Sequence, residues 1–251
     1  MQVSVIVPVF NEAALIRPFL SNLRECARGA EIIVVDGAST DGTDRLAQGF
    51  CDQFIRSGER SRAKQMNAGA EVAAGDVFWF LHADTAVPLE SLNEIDRIMR
   101  NPKVAGGFFR IRLPATPAVY RLTDRFAHYA GLVLGIRCGD HGMFCRRTVF
   151  VEAGGFPDVP LMEDAEFFRQ LRRCGRVVHS NKRIAASPRR YETVGPLRLT
   201  FAYGLIATLY VLRIPLSALA KIYRHTCAVG PASHSKRIQT DPATRARNDD
   251  I

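Results

Sequence analysis

At 251 residues and 47% hydrophobic content, the chain is long enough for one sizeable α/β core, and no repeat of fixed period runs through it. Its formal charge is +9, with Arg169, Arg172, Arg173, Arg176, Lys182, Arg183, Arg189 and Arg190 in one block and no acid between Phe167 and Arg190. Such a block suits phosphates or an anionic membrane surface; without interleaved aromatics, a zinc-finger motif or an RNP-type motif, it points away from nucleic acid.

In chain order, Val3–Phe10 is β-branched and apolar, the pattern of a buried strand. Asn11-Glu12 then opens a helix to about Arg28, with Leu15, Phe19 and Leu23 at helical spacing. Glu31–Asp36 is a second buried strand, ending in the turn-rich Gly37–Thr43, which carries caps for another helix. Phe54-Ile55 begins a short third strand, Arg62–Ala74 is a helix and Asp76–Leu81 a fourth strand. Pro88–Met99 reads as helical and Val104–Leu113 as a strand, with an antiparallel direction as an option. Tyr120–Val133 reads as an amphipathic helix; helices near Arg147–Ala153 and over Glu163–Cys174 and a short strand over Arg176–His179 follow. Alternating strands and helices predict right-handed βαβ units and a mostly parallel sheet.

Leu197–Ala220 is strongly apolar but holds Arg198, Arg213 and Pro215. A charge that far along is costly at mid-bilayer, so the favoured reading is one or two helices lying in a membrane interface, with a re-entrant hairpin, a true span or a dimer-forming pair as alternatives. Ala232–Ile251 is polar and reads as a disordered tail. The six scattered cysteines (Cys26, Cys51, Cys138, Cys145, Cys174 and Cys227) form no C-x-x-C pair, a reduced pattern. With no signal peptide at the N-terminus, the expected location is cytoplasmic, peripheral or anchored at the inner face of the cell membrane.

Glu12, Asp36, Asp84 and the pair Glu163-Asp164 lie at strand ends or helix starts. In open α/β sheets, ligands bind outside the carboxyl ends of the strands. There Asp84 is placed to hold a hard divalent cation, although helix capping before Pro88 is an alternative. Asp36 is placed to bond a ribose or a base edge, or else to make a turn. No G-x-G-x-x-G follows either strand and no G-x-x-x-x-G-K-[ST] occurs, so a phosphate-bearing ligand must be held by a metal and basic side chains.

Val7-Pro-Val-Phe-Asn-Glu12, Val34-Val-Asp-Gly-Ala-Ser-Thr-Asp-Gly-Thr43, Phe80-Leu-His-Ala-Asp84 and Met162-Glu-Asp-Ala-Glu166 resemble, in order and spacing over residues 1–195, the inverting glycosyltransferases of family 2. The resemblance implies a GT-A fold: an α/β domain with a mostly parallel nucleotide-binding sheet flanked by helices. Here it would span 1–195, followed by an apolar C-terminal helical segment over 196–230 and the tail over 231–251. Within that family, Arg60–Ala70 and Gly139–Phe144 are similar to the bacterial arsenosugar-biosynthesis type.

The same resemblance implies roles for single residues. Pro8 and Glu12 would border the nucleobase and ribose, Asp36 would bond the base with Ser39 in the same loop, and Arg62 would lie near the nucleotide. Asp84 would be the metal-binding Asp of the D-x-D element, Asp164 the general base, and Gly139–His141 near the acceptor. The family's Q-x-x-R-W becomes Ser187-Pro-Arg-Arg-Tyr191, so Arg190 and Tyr191 match and the Gln is lost. His82 replaces the first Asp of D-x-D, a softer ligand that suits manganese or bonds only the ribose.

The implied activity is metal-dependent transfer (Mn2+ or Mg2+) from a nucleotide-diphosphate sugar, UDP-sugar favoured, to an acceptor hydroxyl that the apolar C-terminal segment makes compatible with a lipid carrier. Glu12 as a first-turn helix acid, and Glu163 or Glu166 as the working acid in place of Asp164, stay open. A nucleotidyltransferase is disfavoured because Val9–Ala13 has neither glycine nor base. A membrane-docked nucleotide-binding module without transferase activity is the alternative outside enzymes.

Overall fold

In the computed structural model of the chain, which describes residues 1–112, 141–187 and 189–227, the described strands form one seven-stranded sheet. The strands are β1 (Val3–Val9), β2 (Glu31–Asp36), β3 (Gln53–Arg56), β4 (Val77–Phe80), β5 (Val104–Arg112), β6 (Phe144–Arg146) and β7 (Arg176–Ala185), in the order β3-β2-β1-β4-β6-β5-β7. β1 pairs in parallel with β2 (Val9 opposite Asp36) and with β4 (Ile6 opposite Phe80). β6 is antiparallel to both β4 and β5, while β5 and β7 are parallel.

Helices cover both faces. On one side α1 (Ala13–Cys26) and α4 (Ser91–Met99) bring Ile16, Leu20, Leu23, Ile95 and Ile98 onto Val5, Val7, Ile32, Val34 and Trp79. On the other, α3 (Arg62–Val72), α5 (Arg147–Glu152) and α6 (Glu163–Cys174) bring Met66, Phe150, Phe167 and Leu171 onto Ile6, Ile33, Val35, Phe78 and Phe80. Burial on both faces is why β1, β2 and β4 read as unbroken apolar runs rather than alternating ones. At Gly69 of α3 a Cβ would lie 2.5 Å from Ile6 Cγ2, so the missing side chain lets the helix lie flat on β1. A short helix, α2 (Thr43–Ala47), follows the β2 loop.

The expected elements hold over most of the described chain, with three differences. The strand over Val104–Arg112 keeps the direction of β1, because two antiparallel steps through β6 restore it; the reversed strand is β6. At three residues β6 is too short to leave a periodic signal. β7 runs on to Ala185 rather than stopping at His179. As the sheet's edge it needs no apolar alternation, and after an irregularity past His179 the pairing resumes with Arg183 opposite Arg110 and Ala185 opposite Arg112.

After α7 (Arg189–Val194), the apolar segment forms two helices, α8 (Pro196–Val211) and α9 (Leu216–Cys227), broken ahead of Pro215. Among the described residues no helix is long and apolar enough to cross a membrane. The 16 residues of α8 reach about 24 Å, short of the roughly 30 Å hydrocarbon thickness. The five described cysteines are free thiols. The helix expected over Tyr120–Val133, Gly139-Asp140 and the tail expected to be disordered lie outside the described residues.

Candidate active site

The order of the sheet reverses between β1 and β4: β2 and β3 extend to one side of β1, and β4 lies on the other. In doubly wound sheets this switch point opens a crevice at the carboxyl ends of the strands. The chemistry of Pro8 fits that opening. The Ile6 carbonyl accepts the Leu81 N–H at 3.1 Å, so the alternate residue Pro8 turns its nitrogen toward the same side. The β4 ladder ends opposite Ile6, so the missing N–H breaks no sheet bond.

Three loops meet at this edge, and two are stapled together. Glu12 begins α1, yet its side chain does not cap the helix. The first N–H groups of α1 are instead satisfied from the β2 loop: Glu12 N–H donates to Thr43 Oγ1 at 2.8 Å and Ala13 N–H to Asp41 Oδ2 at 3.0 Å. Asn11 N–H donates to Ser39 Oγ at 2.8 Å, and Asn11 Oδ1 accepts from Thr40 N–H at 2.9 Å. Burial would raise the pKa of Asp41, but hydrogen bonds from Thr43 and from the Ala13 N–H outweigh it and hold the carboxylate below its ordinary value.

Below the loops, the buried Gln65 of α3 donates to Val9 O at 2.8 Å and Val35 O at 2.7 Å, tying the ends of β1 and β2. Gly37 packs on it, since a Cβ there would lie 2.9 Å from Gln65 Oε1. Asn11 and Ala38 both take left-handed backbone angles, φ 53° and 66°, a conformation that costs a non-glycine residue free energy and gathers at functional loops.

Asp36 stands at the bottom of this assembly, 1% exposed. Its Oδ2 accepts the Ser39 N–H at 3.0 Å, while its Oδ1 is buried with no hydrogen-bond partner. A buried acceptor without a donor is costly and calls for one from outside.

Across the crevice, Arg189 of α7 ties two acids together. Its Nη2 lies 3.1 Å from Glu12 Oε2, as donor, and 3.7 Å from Asp84 Oδ2. Asp84 lies in the turn after β4, partly exposed, and the half-buried His82 stands two residues before it. Among the described residues no three His, Cys, Asp or Glu side chains converge as a metal cage. The carboxylates that could serve a cation here are Asp84 and, across the same guanidinium, Glu12. They fit a cation that arrives with phosphates and keeps part of its water shell.

Asp164 lies in the first turn of α6 and is 8% exposed. α6 leads through Gly175 into the start of β7, so it runs counter to the parallel strands and its first turn lies at their carboxyl edge. Phe167, one turn on, packs near Phe80 at the end of β4, with ring centroids 6.4 Å apart. The preceding Met162 is left-handed (φ 68°) and turns the chain into the helix. Glu166 is held elsewhere: Tyr210 Oη donates to it at 2.6 Å and Arg169 pairs with it. Burial and this carboxylate push the Tyr210 hydroxyl pKa up.

Pro8, Glu12, Asp36, Ser39, His82, Asp84 and Asp164 therefore share one edge of the sheet. Arg62, exposed at the start of α3, shares it too, because α3 enters β4 as α6 enters β7. Arg190 lies on α7, as does Arg189, whose guanidinium reaches Glu12 and Asp84. Sequence reasoning missed Arg189 as a site residue, and Gln65, Asp41 and Thr43 as the frame. The signal for Arg189 was its place in the acid-free basic block and inside the motif remnant Ser187–Tyr191, beside Arg190.

Residues 4–149 match the family described as Glycosyl transferase family 2. A dolichol-phosphate mannosyltransferase from Pyrococcus furiosus is 31% identical over 108 residues, 40% of this chain; the match spans only 31% of that relative's length. Among solved structures, a mannosyltransferase from Pyrobaculum calidifontis, in complex with GDP-Man and Mn2+, superposes with a TM-score of 0.64 at 23% identity, covering 89% of this chain and 69% of its own. Glucosyl-3-phosphoglycerate synthase from Mycobacterium tuberculosis, in complex with Mn2+, UDP and glucosyl-3-phosphoglycerate, superposes with 0.59 at 18% identity over 85% of this chain and 81% of its own. S. aureus TarS in complex with UDP-GlcNAc gives 0.60 at 17% identity, covering 90% and 73%. At these identities the likeness is one of fold, consistent with the GT-A architecture. With its family model matched over more than half of its length, the chain belongs to glycosyl transferase family 2.

Proposed function

We propose that the protein is a metal-dependent, inverting glycosyltransferase that moves a sugar from a nucleotide-diphosphate sugar to an acceptor hydroxyl. The observation that carries this reading is the Asp36 carboxylate, buried with one oxygen bonded to the Ser39 N–H and the other unpartnered, beneath the crevice that Glu12 and Asp84 flank. A single vacant acceptor matches the single ring N–H of uracil. The adjacent ring N–H and amino group of guanine would want two, so a UDP-sugar is the favoured donor. The relatives support a nucleotide-sugar donor without naming the base, since their complexes hold GDP-Man, UDP-GlcNAc or UDP.

In the proposed reaction the acceptor oxygen attacks the anomeric carbon and its proton passes to Asp164. The bond from that carbon to the diphosphate breaks on the opposite face, leaving with its electron pair. One displacement inverts the anomeric centre, and no sugar is bound to the enzyme. Arg189 turns its guanidinium from Glu12 and Asp84 to the oxygens of the leaving group, where negative charge grows. A divalent cation held by Asp84 would supply further neutralisation of that charge. The first turn of α6 favours negative charge at Asp164 before the proton arrives. The bacterial arsenosugar type is the subfamily we favour, on Arg60–Ala70.

The test is hydrolysis and transfer of UDP-sugars with manganese, with the anomeric configuration of the product read by proton NMR. Inverted product that Asp164→Asn nearly abolishes supports the proposal. Nucleotide binding without turnover, across a panel of donors and acceptors, supports the binding module instead.

A further inference from the structure

α8 buries Leu199, Ala202 and Ile206 but leaves another stripe uncovered. Leu197, Phe201, Leu205 and Leu212 recur at helical spacing and are 69%, 74%, 36% and 66% exposed. Surface leucines occur singly on most proteins, but a stripe along four turns is the mark of an interaction face. The stripe ends at the turn between α8 and α9, where Arg213 takes a left-handed φ of 61°.

Beside that turn lies a cleft of about 820 Å³ between α6 and the hairpin. Four arginines, Arg169, Arg172, Arg173 and Arg213, line it together with apolar Phe168, Val211, Ile214 and Leu216. The only acid among its described lining residues, Glu166, is occupied by Tyr210 and Arg169. From 167 to 227 the sequence carries twelve Lys and Arg against one acid, Glu192. An apolar stripe next to so strong a positive charge complements a surface that is oily inside and negative at its rim. A second copy of this chain would bring like charge against it.

We propose that the α8–α9 hairpin and the arginine cleft form one docking face for an anionic lipid bilayer, with Leu197, Phe201, Leu205 and Leu212 lying among the acyl chains and the arginines holding lipid phosphates. The helices lie along the surface rather than through it. The proposal does not depend on which reaction the crevice residues perform.

The test is co-sedimentation of the full chain with vesicles of phosphatidylcholine alone or mixed with phosphatidylglycerol, at low and high salt. Arg172→Glu/Arg173→Glu and Phe201→Ser/Leu205→Ser are run beside it, and circular dichroism checks that each variant is folded. Expected is binding to the anionic vesicles that weakens with salt and falls at least about tenfold in the charge-reversed variant, with a further clear loss in the serine variant. Equal binding to both vesicle types, or binding that both variants keep, would overturn the proposal; the second result would move the contact to residues beyond 227. So would a concentration-dependent dimer that Phe201→Ser/Leu205→Ser breaks while neither vesicle binds.

Discussion

The loops after β1 and β2 are cross-tied by Asn11, Ser39, Asp41, Thr43 and, from below, Gln65, whereas the α8–α9 hairpin leaves Leu197 and Phe201 mostly in solvent. In the first region the one described side-chain oxygen that is buried without a partner is Asp36 Oδ1. In the second, apolar side chains and arginines face outward. The contrast separates two ways of making a surface that binds. One is a rigid frame with a single vacancy, suited to selecting a small molecule. The other is a broad face with no fixed vacancy, suited to lying on something extended.

Substitutions can break this contrast, and the largest effect is expected at Asp164. Asp164→Asn should lower transfer by about 10²–10⁴-fold, the range of a lost general base, with nucleotide affinity unchanged in titration. Next comes the frame: Gln65→Ala empties a buried site and removes the amide that bridges the Val9 and Val35 carbonyls, of which Val9 O keeps the Gly37 N–H at 2.9 Å. It should cost about 2–4 kcal/mol in denaturant unfolding and weaken nucleotide binding as the loops loosen. Gly69→Ala, forcing a methyl against Ile6, should cost about 1–3 kcal/mol with little effect on the site. Phe201→Ser, on the exposed stripe, should stay within about 0.5 kcal/mol of the parent by the same measurement.

Acid should find the same division. Glu31, Asp41 and Asp52 are held below their ordinary pKa by hydrogen bonds that outweigh burial, and Glu94 is lowered by Arg97 first and then by Ser180. A depressed carboxylate contributes stability that is fully present above its unfolded pKa, about 4, and is lost as pH falls through the lower folded value. All four belong to the sheet half and α4. Tm should therefore hold down to about pH 5 and drop steeply below about pH 4, by the same amount in Phe201→Ser as in the parent.

The sequence displayed the first region well because its physics is local. Val3–Val9, Glu31–Asp36 and Val77–Phe80 are buried on both faces, so the residues themselves carry the strand signal, and Asp36 and Asp84 stand where those runs end. What it concealed is what sequence-distant pairing makes. β6 becomes a strand only because β4 and β5 flank it, and β7 reaches Ala185 only as an edge beside β5. Arg189 meets Glu12 and Asp84 across 177 and 105 residues of chain, and nothing near it in sequence marks it apart from Arg190. Gln65 likewise looks like one more polar helix residue until its two carbonyl partners are seen. The apolar run near 197–220 announced a special segment but left open whether it holds one helix or two; the chain breaks it into α8 and α9 ahead of Pro215.

The central claim is that the β1/β4 crevice holds a nucleoside diphosphate with a divalent cation. Isothermal titration of the purified chain with UDP and GDP, with and without manganese, beside Asp84→Ala and Asp36→Ala, tests it most directly. The account predicts UDP binding that manganese strengthens, that Asp84→Ala makes insensitive to the metal, and that Asp36→Ala weakens at least about tenfold, the loss of one buried hydrogen bond to a charged acceptor. UDP binding that is indifferent to manganese and to both substitutions, or no binding of either nucleotide, would contradict it.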